Sequence, residues 1–458
     1  MSDLEIGDAT RALRDSVLGQ VIAPGEDGYD VARAGYFASI DRRPAAIVRP
    51  ADAGDVARVV LLAREMGLEL AVRSGGHSMA GHSSTGGGIL LDLSPLNAID
   101  IDAAARTAWV GGGATAGAIT TAAGAHGLAL GLGDTGSVGV GGITLGGGVG
   151  FLHRKLGLTL DQLLGAEVVT ADGSRIYTDA STSPDLFWAI RGGGGNFGVV
   201  TRFQFRLGEV SDAVGGPLIL PATPATIAGS VRAAIDAPEE MSGMILVMRA
   251  PPMPMLPAEV HGRLVVMLML VYAGDADSGR RAFEPFRALA TPLADMTQPM
   301  KYPAIYEGGH GPHPVATAVR NFFTDDVDLS AAEFILERLQ QSTAPMSVVQ
   351  FRVLGGAVAR VPADATAFAH RGRRMMANAA AAFERLEERA QHQAWAEETA
   401  ARLRGDHRGA YVGFMGAEGD ARVREAYPGD TWTRLSRIKK RYDPDNVFRM
   451  NQNITPAQ

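Results

Sequence analysis

The stretch RSGGHS, Arg73–Ser78, follows a short run, LELAVR, and puts a histidine directly behind two glycines. Glycines after a strand let the main chain take positive φ and turn its N–H groups toward an anion, so the loop reads as a phosphate cradle with a histidine held beside it. The same six residues also read as a Gly-Gly turn with a surface histidine. The segments around them bear on the choice.

Upstream, DAGDVARVVLLAREMG places Val56, Val59, Val60 and Ala63 on one helical face and ends at Gly67, which predicts a helix leading into the strand. Downstream, GILLDL (Gly88–Leu93) and the alternating segments within Ala98–Gly111 predict further strands, and Ala116–His126 a helix of small residues. Two more glycine clusters follow, GDTGSVGVGGITLGGGVGF from Gly133 to Phe151 and RGGGGNFGVVTRFQF from Arg191 to Phe205. The latter contains a G-x-G-x-x-G, Gly193 to Gly198. A nicotinamide fingerprint must open a helix, however, and VVTRFQF has the alternation and β-branching of a strand. Several separate loops of close backbone approach remain, the pattern of a large dinucleotide laid across one domain.

The whole chain has 458 residues, formal net charge -7, 46% hydrophobic and 20% charged residues. Its length predicts two or three domains at roughly 150 residues each. A mildly acidic globular chain is a poor partner for nucleic acid. The opening MSDLEIGDATRALRD is charged where an export signal needs an apolar core, and the longest apolar run, Leu264–Tyr272, is far short of the ~18 residues of a membrane span. With no cysteine there is no disulfide and no thiolate ligand. These features fit a cytoplasmic setting. His310 and His313 have no acidic or thiol ligand set in their neighbourhood, so no metal site is read.

From about Gly208 to Arg408 the glycines thin out, and strands such as GRLVVMLMLVYAG alternate with helices such as SAAEFILERLQQ. The stretch MMANAAAAFERLEERAQHQAWAEETAARL, dominated by alanine and charge, predicts a helix. This region reads as a sheet covered by helices. Glycine-and-turn texture returns in the last fifty residues, ending RIKKRYDPDNVFRMNQNITP, which marks the middle region as an insertion.

Taken in order, RSGGHS, GSVGVGG, GGGGNFGVVT and YDPDNVFRMNQNI resemble the flavin-linked oxidases of the vanillyl-alcohol oxidase superfamily, in the berberine-bridge-enzyme-like branch. The resemblance implies an α+β, two-domain FAD-binding fold of the PCMH type, with residues 1–207 and 410–458 binding FAD. Residues 208–409 would form an inserted substrate domain on an antiparallel sheet covered by helices. It implies that FAD is attached covalently through the ring of His77. Arg73, Ser74, Gly75, Gly76 and Ser78 would lie along the cofactor, with Thr135, Gly136, Val138, Gly139, Gly141, Gly142, Gly198, Val200, Asn451 and Asn453. Thr135 stands where some relatives carry a second, cysteinyl anchor, so attachment would be single. Val138 matches the position that in oxygen-reactive relatives is a valine, which leans toward an oxidase using dioxygen; packing in a glycine turn explains it equally well.

Two departures from the family bear on catalysis. The Y-x-N-Y motif, whose last tyrosine takes a proton in many relatives, reads YVGF, with Tyr411 first and Gly413 and Phe414 behind. A second acid following an H-R-x-G segment aligns with Ala377, after His370 and Arg371. Without either base, a neutral amine or an electron-rich ring is the favoured small-molecule substrate, because its own lone pair drives hydride departure. Tyr302 and Tyr306 in KYPAIY, with Phe322 and Phe323, are read as pocket wall or as core. Two alternatives stay open, a flavin dehydrogenase using another acceptor and a flavin-binding protein with little turnover.

Overall fold

A computed structural model of the chain describes residues 3–254, 256–306 and 315–458. His310 and His313 lie outside the described residues.

The segment behind RSGGHS forms a small parallel unit. Strands Ala46–Arg49, Ile89–Asp92 and Leu70–Arg73 are neighbours in that order, and helix Ala53–Glu65 is the crossover that parallel strands require. Asp52 caps it, its side chain accepting from Asp55 N–H at 2.9 Å. Val56, Val59, Val60 and Ala63 are fully buried against Leu70, Ile89 and Leu91.

A five-stranded antiparallel sheet follows, in the order Ile99–Asp102, Thr107–Gly111, Val199–Arg206, Leu163–Val169, Arg175–Asp179. The G-x-G-x-x-G run therefore does enter a strand: after one tight turn at Gly194–Asn196 the chain becomes Val199–Arg206. Phe203 and Phe205 from this strand share a core with Ala410, Met415, Tyr427, Leu435, Ile438 and Ile454 of the C-terminal segment.

Residues 212–383 supply an eight-stranded antiparallel sheet. Helices Pro224–Asp236, Ala276–Arg287, Leu329–Gln341 and Arg389–Leu403 cover one face over a single apolar core. The expected long alanine-rich helix is corrected here, because its first part, Met375–Phe383, is a strand between Ala316–Thr324 and Met346–Val353. Alanine favours a helix by itself, but a strand paired on both sides gains ladder bonds and burial that outweigh that preference. Ala377, Ala379 and Ala381 face the helix layer in that core. Ala377 thus points away from the opposite face of the sheet, whereas Asn378, beside it, faces the other way and bonds Gln350.

Among the described residues no helix is long and apolar enough to cross a membrane.

Candidate functional site

The strand Leu70–Arg73 ends in the RSGGHS loop. Arg73 is buried beneath the loop rather than along it: Nη2 pairs with Asp92 Oδ2 at 3.0 Å, and Nη1 donates to Ala34 O at 3.0 Å. Its guanidinium is thereby committed to the floor of the loop. Ser74 Oγ donates to Gly112 O at 2.6 Å and accepts from Gly141 N–H at 3.2 Å, joining the first glycine loop to the second. The two loops then pass back to back. A Cβ added to Gly75 would lie 2.2 Å from Gly139 N, and one added to Gly139 would lie 2.1 Å from Gly75 N. No larger residue fits at either position.

This crossing places most of the expected site residues on one cavity of about 440 Å³. Ser74, Gly75, Gly76, His77, Ser78, Thr135, Val138, Gly139, Gly141, Gly142, Gly198, Val200, Tyr411 and Asn451 all line it. Three do not. Arg73 lies beneath the loop, Gly136 packs against Tyr306 and Gly117, and Asn453 lies off the lining, half-buried, with its Oδ1 unpartnered. The KYPAIY segment also stays off the lining. Tyr302 is fully buried in a core with Phe151 and Val271, and Tyr306 donates to Gly133 O at 2.5 Å from behind the loop. Phe322 belongs to the core under the helices and Phe323 to a cluster with Phe368 and Tyr411.

His77 is stacked on Tyr36, ring centroids 3.8 Å apart and planes 20° from parallel, with Nε2 3.0 Å from Ser137 Oγ. Burial lowers its pKa to about 4, although Ser137 and Asp134 pull the other way. Tyr411 sits at the far side, 4% exposed. Its hydroxyl accepts from Gly148 N–H at 2.8 Å, and its ring meets Phe368 and Phe414 edge-on. Burial raises its pKa to about 12.

Three functional candidates escaped sequence reading. Asp134 lines the cavity and pairs with Arg352, which reaches it from strand Met346–Val353. On that strand Val349 and Phe351 enter the core under the helices while Gln350 and Arg352 face the opposite side. Arg352 donates to Gln350 Oε1 at 2.6 Å and its guanidinium lies 4.8 Å from the Phe414 ring centroid. Gln350 Oε1 also accepts from Asn378 at 3.1 Å. The signal for Arg352 was present as period-2 alternation in SVVQFRV, and Asp134 adjoins the Thr135 that motif matching singled out. Tyr36 carried no sequence signal, since only the fold brings it to His77.

The C-terminal return to the cavity has its own support. Lys439 and Asp443 form a fully buried pair at 2.6 Å. Lys439 Nζ also donates to the carbonyls of Asn196 and Phe448, and the Asp443 carboxylate accepts from Val447 and Phe448 N–H. This knot fixes the chain just ahead of Asn451, whose buried Oδ1 has no partner within the protein. A cavity with glycine main chain on one side, the apolar Leu70, Val72, Leu93 and Val199 along it, and an orphaned acceptor at the other side suits a flat heteroaromatic cofactor bearing N–H donors, as FAD does.

Comparison with known proteins agrees. Residues 44–179 match the FAD binding domain family and residues 410–455 the family described as berberine and berberine like. The chain is 32% identical over 456 residues to the (R)-6-hydroxynicotine oxidase of Paenarthrobacter nicotinovorans, covering 96% of this chain and 97% of that one. Crystalline 6-hydroxy-D-nicotine oxidase from Arthrobacter nicotinovorans superposes with a TM-score of 0.85 at 29% identity, over 96% of this chain and 99% of that one. A glucooligosaccharide oxidase from Acremonium strictum, described with 6-S-cysteinyl, 8α-N1-histidyl FAD, shares the fold at a TM-score of 0.84 and 23% identity, over 98% of this chain and 99% of that one. With its fold, its cavity and these relatives in agreement, the chain belongs to the berberine-bridge-enzyme-like FAD-linked oxidoreductases, a family of enzymes.

Proposed function

We propose that this enzyme is an oxidase of a small amine or electron-rich ring, with FAD attached at His77 and dioxygen as the electron acceptor. Residues 1–207 and 410–458 would form the FAD-binding unit and residues 208–409 the substrate unit. Bound FAD supplies a hydride acceptor at N5, and its reduced form passes electrons to dioxygen to give hydrogen peroxide.

The observation that carries the substrate class is the state of the titratable groups around the cavity. The Tyr411 oxygen is occupied by Gly148 N–H and its pKa stands near 12. Asp134 is committed to Arg352. Neither is a free base for an alcohol, whereas a neutral amine needs none. The 6-hydroxynicotine oxidase relative is named for a substrate of this kind. Tyr411 and Phe414 would form an aromatic wall that orients the substrate and excludes water, backed by Arg352, which packs against Phe414 and bonds Gln350. Single attachment through His77 is supported by its place on the cavity beside the glycine crossing and by Thr135, not cysteine, on the neighbouring loop.

Two measurements test the proposal. Flavin colour should stay with acid-precipitated protein and be lost from it in His77→Ala; all flavin in the supernatant of the unmutated protein would refute attachment. A peroxide-coupled screen of amines, phenols and sugars should find turnover among the first two classes, and turnover of sugars alone would refute the substrate class.

A further inference from the structure

His77 is held from two sides by groups that attachment chemistry can use, and their roles depend on the reading of His77 as the attachment residue. The Tyr36 ring covers one face of the imidazole at 3.8 Å. Tyr36 is itself placed by its N–H, which donates to Gly76 O at 3.2 Å, next to His77 in the chain. On the edge, Nε2 lies 3.0 Å from Ser137 Oγ. This pairing lets Nε2 donate to Ser137 Oγ, and in that tautomer Nδ1 keeps the lone pair. Burial, with a pKa near 4, keeps the ring neutral and that pair available.

We infer that Tyr36 and Ser137 are positioning residues for flavin attachment, Tyr36 fixing the imidazole plane and Ser137 drawing off the Nε2 proton as Nδ1 forms its bond. In this step the Nδ1 lone pair bonds to the 8-methyl carbon and one methyl C–H bond breaks. That hydrogen leaves as a proton, and Nε2 releases a second through Ser137. The electron pair of the C–H bond stays on the isoalloxazine, which is left reduced by two electrons with two protons. Dioxygen then takes both electrons and both protons as hydrogen peroxide, restoring the oxidised ring.

The test follows attachment itself, not turnover. Full-length protein made in riboflavin-starved cells is mixed with FAD in air, and acid-stable flavin is measured over time by in-gel fluorescence. Tyr36→Phe, which keeps the stacked ring, should attach FAD within about twofold of the parent rate, whereas Tyr36→Ala and Ser137→Ala should be at least about tenfold slower. Ser137→Thr should restore the rate, and anaerobic FAD binding should be unchanged in all four. Parent rates in both alanine variants, with none in His77→Ala, would overturn the positioning roles and leave attachment at His77 intact. Covalent flavin persisting in His77→Ala would overturn the attachment reading and the positioning roles with it. Tyr36→Phe as slow as Tyr36→Ala overturns the ring clamp. Where Tyr36→Ala does not fold, equal rates for Ser137→Ala and Ser137→Thr refute the proton role.

Discussion

Replacing Tyr411 by phenylalanine removes one oxygen atom from a place where the structure gives it a definite task, accepting Gly148 N–H at 2.8 Å beside the cavity. Gly148 is buried, so its amide is left without a partner, at a cost of about 1–3 kcal/mol in stability. The chemical effect should be small. With a pKa near 12, only about one tyrosine in 10⁴ is ionised at pH 8, so the side chain is not poised as a base. The raised value also means that Tyr411 cannot produce an inflection across about pH 6–10, since it stays protonated throughout that range. Anaerobic stopped-flow reduction should therefore rise with pH along the substrate's own ionisation, and the inflection should move when a substrate of different pKa is used. Tyr411→Phe should lower the reduction rate by less than the ~100-fold expected for loss of a general base, at unchanged flavin content. A loss beyond ~100-fold, or an inflection that ignores the substrate, would refute the reasoning and return alcohols to the field.

Val138 lines the cavity beside Thr135. If it leaves passage for dioxygen, Val138→Leu should slow reoxidation by air about tenfold or more while changing anaerobic reduction less than about twofold; equal slowing of both half-reactions would remove the gate. Lys439→Met strands the fully buried Asp443 carboxylate, so it should cost about 3–5 kcal/mol in urea unfolding, and adding Asp443→Leu should recover part of the loss. No recovery in the double variant would mean that Asp443 acts through Val447 and Phe448 alone.

Legibility in the sequence followed the range of the forces involved. The helix Ala53–Glu65 was readable because its capping residue and buried face lie within one local period. The glycine loops were readable because a close approach such as Gly75 against Gly139 admits no other residue. Met375–Phe383 misled because nothing local announces that strands lie on both sides of an alanine run. That Ala377 enters the core while Asn378 turns to the other face was hidden for the same reason, since facing in a strand alternates and only the register against Gln350 shows it. Arg73 misled for a different reason. The family resemblance implied a place along the cofactor, but Asp92 and three main-chain carbonyls hold its guanidinium beneath the loop. Asp134 and Arg352 are 218 positions apart, and no local pattern relates them.

That last pair also explains how a site divided between distant stretches of chain can act as one. Asp134 rides on the glycine loop that crosses Gly75, and Arg352 on strand Met346–Val353 of the eight-stranded sheet. The guanidinium is almost wholly buried, at 4% side-chain exposure, while the carboxylate keeps 21% toward the cavity. A cation so buried without its partner would be costly, so the pair ties the eight-stranded sheet to the loop beside His77 in one register. Through Gln350 the same guanidinium is linked to Asn378, and it lies over Phe414. The polar group around Arg352 is thus positioned by the same contact that positions the loop next to His77. On the proposed function, specificity and cofactor placement would be mechanically coupled at Asp134, although neither residue of the pair belongs to the glycine and histidine positions from which the family is recognised.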